Sequence, residues 1–476
     1  MDKLCCWKRA WPVPLLCAAT VIALHAQTFT TLVKFNGANG ANPAYVSLVQ
    51  GTNGYLYGTT QNGGVDGIGT IFKITPGGKL TTLYSFAWSD GEFAAEGEYP
   101  YAGLVQATNG DFYGTTYIGG DNPTGGNYGT VFKVTPSGTL TTLHSFAGVP
   151  DGAYPAGLVQ AANGNFYGTT QNGGDGNYGS IFTITTAGSL TTQHSFGGTD
   201  GMNPFAGLVQ ATNGNLYGTT QGGGTSDNCL NGCGTVFEIT PSGTLTTLYS
   251  FGMKGDGGWP IAGLVQASDG YLYGTTQTGG TGGGYGTVFK ITPSGKLTTL
   301  HSFDSADGQA PLAELVQGTD GNFYGTTSSG GANGYGTIFQ IAPSGALTTL
   351  HSFDLTDGAY PEGGLVQDTN GDFYGTTSGN SSTGNDDGTV FELSMGLGPF
   401  VKTLPTSGRV GAGIKVLGTN LTGATNVTFN GTAAAFAILS PSLITTTVPA
   451  GATTGNIQVT TPGGTLLSNV HFQVLP

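Results

Sequence analysis

One tripeptide constrains this chain more than any other feature. Leu-Val-Gln opens at Leu48, Leu104, Leu158, Leu208, Leu264, Leu315 and Leu365, with successive starts 56, 54, 50, 56, 51 and 50 residues apart. Each copy runs into an Asn-Gly or Asp-Gly turn, a Tyr-Gly-Thr-Thr stretch, a glycine-rich loop, a Thr-Val-Phe stretch and a Leu-Thr-Thr-Leu stretch. We term these four β-like runs strands a, b, c and d. A period near 50 residues with four short strands per unit is the signature of propeller blades, since one such unit cannot bury both of its faces alone.

The ends of the array show how it closes. Residues 28–35 match a strand d but stand before the first Leu-Val-Gln, and the seventh repeat stops at Leu393 without its own strand d. Seven complete blades therefore require the N-terminal segment to finish the last one, which removes the exposed edges. The Asn-Gly and Asp-Gly turns suit the positive φ angles of tight a–b hairpins. Strand b carries a tyrosine in every unit, from Tyr57 to Tyr374, and strand c a phenylalanine, from Phe72 to Phe391. Two aromatic layers suit blade-on-blade packing. In an up-and-down meander, the uniform a–b and c–d turns share one face of the ring. The variable b–c and d–a loops share the other, which is the expected binding face.

Composition narrows the function. The formal net charge is −14 and charged residues make up 8% of the chain, with no basic stripe. That excludes a nucleic-acid partner and disfavours anionic membranes. Lys3, Lys8 and Arg9 followed by the apolar run Pro12–Ala26 read as a secretory signal peptide over residues 1–26. The expected protein is thus secreted, extracellular or cell-surface, with no membrane insertion after signal removal. Its expected parts are a propeller over 27–393, a linker over 394–399 and a β-sandwich over 400–476, where polar and apolar residues alternate as in Val427-Thr428-Phe429. Of five cysteines, only Cys229 and Cys233 follow the signal segment; export favours a disulfide between them over a metal site.

Two resemblances cover most of the chain. The blades, with Leu-Val-Gln, Asn-Gly-Asp-Phe-Tyr-Gly-Thr-Thr, Gly-Thr-Val-Phe-Lys and Thr-Pro-Ser-Gly-Thr-Leu-Thr-Thr-Leu-His-Ser-Phe, resemble the bacterial GloVer tandem-repeat (choice-of-anchor) family. That resemblance implies an exported protein and transfers no activity. Residues Pro405-Thr406-Ser407-Gly408, Gly418-Thr419-Asn420-Leu421, Val448-Pro449-Ala450-Gly451 and Thr461-Pro462-Gly463-Gly464 resemble the IPT/TIG family, which implies an immunoglobulin-like spacer or adhesion module. Some relatives of that kind contact DNA, but Lys402, Arg409 and Lys415 are the only basic residues here.

Four sets of residues invite a chemical reading. His144, His194, His301 and His351 recur at one strand-d position; equivalent positions lie far apart around a ring, so they cannot converge on one ion. Seven glutamines, Gln50 to Gln367, either line the channel or satisfy turn backbone. Asp-Gly recurs in the d–a loops at Asp90, Asp151, Asp200, Asp256, Asp307 and Asp357, as acid or calcium chemistry or, preferably, as turns. The closest approach to a calcium loop is Asn385-Asp386-Asp387. Tyr99, Tyr154, Trp259 and Tyr360 each precede a proline at the entry to strand a, where they could stack on sugar rings or cap the hub. No catalytic, metal or cofactor motif stands out. The preferred function is a non-enzymatic binding or adhesion module for polysaccharide or protein. A carbohydrate-active hydrolase or lyase and a structural spacer are the alternatives.

Overall fold

The computed structural model describes residues 27–88, 94–121, 125–379 and 387–476; the expected signal peptide lies outside them, as do Asp90, Asn385 and Asp386. Seven four-stranded antiparallel sheets form the blades. In the first, strand a is Val49–Gln50, b is Leu56–Thr60, c is Thr70–Ile74 and d is Leu80–Ser85. Strand b is buried along its whole length and strand d only partly, so burial falls from the inner strands to the rim. The seventh blade is completed by Thr28–Lys34, paired antiparallel with Thr389–Ser394. That strand carries a bulge between Thr31 and Val33, at the register where each strand d is bulged, as between Tyr84 and Thr82. The N-terminal strand is therefore a strand d in detail as well as in sequence.

The core lies between blades. Seven buried clusters each join two neighbours, and one of them packs Phe35, Leu48 and Phe72 with Tyr374 and Val390, across the junction of first and last blades. In four blades the strand-b tyrosine packs on a phenylalanine of the next blade, as in Tyr57 on Phe112 with ring centroids 4.0 Å apart and Tyr273 on Phe323 at 4.0 Å, while Leu216, Leu272 and Leu56 hold that place in the other three. The tyrosine hydroxyl reaches the a–b turn, where the Asn53 amide donates to that of Tyr57 at 2.7 Å.

The Gly-Thr-Thr that follows each tyrosine has a cause at each position. A Cβ on Gly58 would sit 2.7 Å from both Leu48 and Phe72, whose side chains meet over it. The first threonine donates to the next blade's strand-a entry, as Thr115 does to the Ala156 carbonyl at 2.9 Å. The second pairs with the first residue of strand c, as Thr116 does with Thr130 at 2.9 Å. These buried hydroxyls are satisfied, which removes the cost of burying them.

After the seventh blade the chain forms a sandwich. One sheet holds Lys402–Leu404, Gly413–Leu417, Leu443–Thr447 and Phe436–Ser440; the other holds Thr432–Ala433, Asn426–Phe429, Ile457–Thr461 and Gly464–Leu467. Its core includes Val416, Val427, Ile444 and Val459, with Phe429 edge-on to Phe472 at 5.1 Å. Among the described residues there is no helix long and apolar enough to cross a membrane.

Candidate functional site

The hub of the ring is built from the segments that enter strand a. In every blade a residue with φ between 52 and 58° precedes the entry proline: Asn42, Tyr99, Tyr154, Asn203, Trp259, Ala310 and Tyr360. Its N–H donates back to the preceding blade, as Tyr99 does to Ile68 and Trp259 to Cys233, while its carbonyl accepts from its own blade, as from Tyr117 and Gln277. The left-handed conformation costs a residue with a side chain about 1–2 kcal/mol, and this pair of bonds offsets it.

On the a–b turn side, the glutamines form a belt. Gln106 accepts from the Thr52 N–H at 2.9 Å and donates to the Gly110 carbonyl at 3.1 Å, and five others from Gln160 to Gln367 bond alike. They satisfy turn backbone. Gln50 differs, donating to the Thr369 hydroxyl at 2.8 Å.

Past the proline, the strand-a entries from all seven blades line an axial cavity of about 330 Å³ on the loop-rich face. Its upper tier holds Tyr45, Tyr101, Phe205, Ile261, Leu312 and Glu362, so five apolar or aromatic side chains stand beside one carboxylate. The third blade has one residue fewer between proline and leucine and adds no side chain to this tier. The lower tier is the position before each strand-a leucine: Ser47, Gly103, Gly157, Gly207, Gly263, Glu314 and Gly364. Five glycines bring the backbones together at the hub; a Cβ on Gly207 would meet the Gly157 carbonyl at 3.0 Å.

Both carboxylates lie on the same side of the cup, in the sixth and seventh blades. Glu314 is hydrogen-bonded with Ser47 of the first blade, and a Cβ on Gly364 would lie 3.3 Å from its Cγ. Its side chain is exposed to the open cavity, and the surrounding ring still desolvates it enough to raise its pKa. Desolvation pushes Glu362 up to about 7, against a hydrogen bond with Ser378. Tyr45 and Tyr101 stack at 4.7 Å and pair through their hydroxyls; burial and then Glu362 raise Tyr45 against the hydrogen bond with Tyr101, while burial, then Tyr45, then Glu362 raise Tyr101. Tyr117 continues the ladder 5.3 Å from Tyr101, and Tyr154 stacks on Tyr117 at 4.8 Å.

The residues singled out in the sequence are distributed around this cup rather than gathered in it. Tyr154 ends the tyrosine ladder, Tyr360 is edge-on to Tyr335 at 5.9 Å, Tyr99 packs into the core between the first two blades, and Trp259 is exposed. None of the four is among the residues lining the cavity. The histidines stay at the rim, each against the Asp-Gly aspartate of its own d–a loop: His144 with Asp151 at 2.9 Å, His301 with Asp307 at 2.6 Å. The same aspartates accept a loop N–H, as Asp151 does from Ala147, so they act as turn formers. Among the described residues no three His, Cys, Asp or Glu side chains converge to hold a metal ion.

Cys229 and Cys233 are disulfide-bonded, with Cα atoms 5.3 Å apart, in the b–c loop of the fourth blade. A loop this short restricts the unfolded chain by about 2 kcal/mol, which in a chain of this size is about 2 °C of melting temperature. The double change Cys229→Ala and Cys233→Ala is therefore expected to lower melting by no more than that. Two free thiols in exported protein by mass spectrometry would contradict the bond.

The sandwich occupies the opposite face. Ser442 donates to the Thr52 carbonyl at 3.3 Å, Lys415 to Thr108 at 2.8 Å and Gln473 to Thr212 at 2.5 Å, while Thr419 pairs with Thr369 at 3.0 Å. These are a–b turns of the first, second, fourth and seventh blades, so the domain lies across the ring axis. Lys402 donates to the Gln367 carbonyl beside Asp368; burial pushes the lysine down to about 8 despite that carboxylate.

Fold and docking together define a seven-bladed propeller with an immunoglobulin-like cap on its uniform face. The chain belongs to the Gloeobacter/Verrucomicrobia repeat family, which matches residues 19–148, 92–260 and 225–435, and an IPT/TIG domain matches residues 400–474. No curated protein matches it. Among solved structures it is similar to the extracellular domain of a protein described as a hybrid two-component system of B. thetaiotaomicron, with 12% identity and a TM-score of 0.51 over 95% of this chain and 59% of that one. It is also similar to a fungal alcohol oxidase of the AA5 family, solved with copper, with 13% identity and a TM-score of 0.53 over 94% of this chain and 99% of that one. At these identities the likeness is one of fold.

Proposed function

We propose that this protein is an extracellular or cell-surface binding module that holds polysaccharide in its axial cup. The carrying observation is the cup itself, a cavity of about 330 Å³ with a stacked tyrosine wall beside Glu314, Glu362 and Ser47. The tyrosine edges with Phe205, Ile261 and Leu312 present apolar surface to the C–H side of a sugar, and carboxylates and hydroxyls accept from or donate to its hydroxyl groups. A pocket of this size, with apolar and polar surface in similar share and a few convergent polar groups, can hold a small ligand. The similarity to an extracellular domain and the TIG domain support the location. The acidic surface sets nucleic acid aside as a partner.

One observation favours a second reading, a carbohydrate-active hydrolase or lyase. Two carboxylates share the cavity, and Glu362, raised to about 7, is suited to hold or release a proton near neutral pH. A glycan array with the exported protein, run beside a reducing-sugar release assay on each hit, separates the two. The expected result is polysaccharide hits without sugar release. Release that stops in Glu362→Gln would establish the enzyme instead, and an array without hits would leave a protein ligand or a spacer.

A further inference from the structure

We infer that the cup recognises the end of a glycan chain and that the terminal sugar carries a free, protonated amine. The inference deepens the proposed polysaccharide function and rests on it.

Three observations carry it. The first is the blind floor: the TIG domain bonds to a–b turns on opposite sides of the ring, at Thr52 and Thr212, and so lies across the lower end of the axis. A polymer cannot thread through and must enter end-on from the loop face. The second is an unbalanced charge. Glu314 and Glu362 stand on one side of the cup, and among the described residues no lysine, arginine or histidine lines it. Their side-chain partners are hydroxyls, that of Ser47 in the lining for Glu314 and that of Ser378 for Glu362. A carboxylate taken partly out of water without a counter-charge is costly, and a cationic ligand supplies that charge. The third is the wall that completes the cup beside this charge. Tyr45, Tyr101, Phe205 and Ile261 offer an apolar surface suited to a pyranose ring, and a bare metal ion would leave that surface unused. An amine on a sugar ring meets both demands at once, through charge-assisted hydrogen bonds at one edge and stacking at the other.

The test is calorimetric titration of the full exported protein at pH 7 with a tetramer of β-1,4-linked glucosamine and with its N-acetylated counterpart. The expected result is at least tenfold tighter binding of the free-amine tetramer, with one site per chain. The double change Glu314→Gln and Glu362→Gln, which keeps side-chain shape, is expected to abolish that preference while circular dichroism stays unchanged. Tyr101→Ala, at the wall, is expected to weaken both tetramers alike. Equal affinity for the two tetramers, or a preference that survives the double change, overturns the inference and leaves the polysaccharide function standing. Failure of both tetramers together with every other glycan overturns both. Stabilisation by calcium chloride alone, lost in the double variant, would make the cup a metal site and overturn the amine reading.

Discussion

Removing residues 27–36 is expected to leave no stable ring. The segment makes the whole outer edge of the seventh blade, in register from Thr28 opposite Ser394 to Lys34 opposite Thr389. Phe29 lies flat on His351 at 3.8 Å and meets Phe353 and Phe391 at 5.6 and 5.4 Å, which ties the sixth blade to the seventh. Phe35 is 4% exposed and meets Phe72 at 5.3 Å, which ties the seventh blade to the first. Lys34 and Gln27 add bonds to the Thr356 and Leu350 carbonyls of the sixth blade. Each of the two phenylalanines loses about 1.5–3 kcal/mol of burial on deletion, and strand c of the last blade becomes an open edge able to pair with other chains. The expected outcome is aggregation on size exclusion, or a melting temperature lower by more than about 5 °C, given that each kcal/mol moves a chain of this size by about 1–2 °C. A synthetic peptide of residues 27–36 added in trans should restore part of the loss. A monomeric deletion variant with unchanged melting would mean that the ring is held without its closing strand.

The sequence shows what the repeats share and hides what they do not. The Tyr-Gly-Thr-Thr motif was legible as a buried strand because all seven copies obey the same packing, Gly58 beneath Phe72 and Thr59 bonded to the next blade. The closing strand was legible because Thr28–Lys34 repeats the strand-d pattern. The cup was not, because it arises where copies differ: Glu314 and Ser47 replace the glycine found in five blades, and Glu362 stands in a tier of aromatic and aliphatic residues. Aligning the seven entries to strand a and reading the exceptions would have exposed them. The aromatics before proline resemble a stacking set in the sequence, whereas the backbone at that position is set by bonds to two blades, which no side-chain pattern announces. Docking of the sandwich was equally silent, since Lys415, Ser442 and Gln473 bond to backbone carbonyls.

Glu362→Gln is expected to stabilise the protein, by an amount that grows as pH rises from 4.5 and is complete above neutral pH. Its folded-state pKa is raised to about 7 from an ordinary value of 4.5, first by desolvation. Between those values the folded protein keeps a proton that the unfolded chain has lost. Linkage then requires stability to fall as pH rises through that window and to stay lower above it. Glutamine cannot ionise, so the variant avoids this loss. The full shift would correspond to about 3 kcal/mol; water in the open cavity screens part of it, leaving on the order of 1–2 kcal/mol. The variant should therefore melt with wild type at pH 4.5 and about 1–3 °C above it at pH 8. Glu314 is shifted in the same direction, so adding Glu314→Gln should widen the gap further. Asp368 and Glu392 are raised as well, but they are common to wild type and variants and cancel in the difference. Lys402 cannot mimic the effect below neutrality, because its lowered pKa of about 8 places its own dependence above that point. Parallel melting curves from pH 4.5 to 8, with no gap opening between wild type and Glu362→Gln, would show that the carboxylate is as well solvated in the ring as in the unfolded chain. A gap that opens as described would mark a residue kept at a cost to stability, as binding-site carboxylates commonly are.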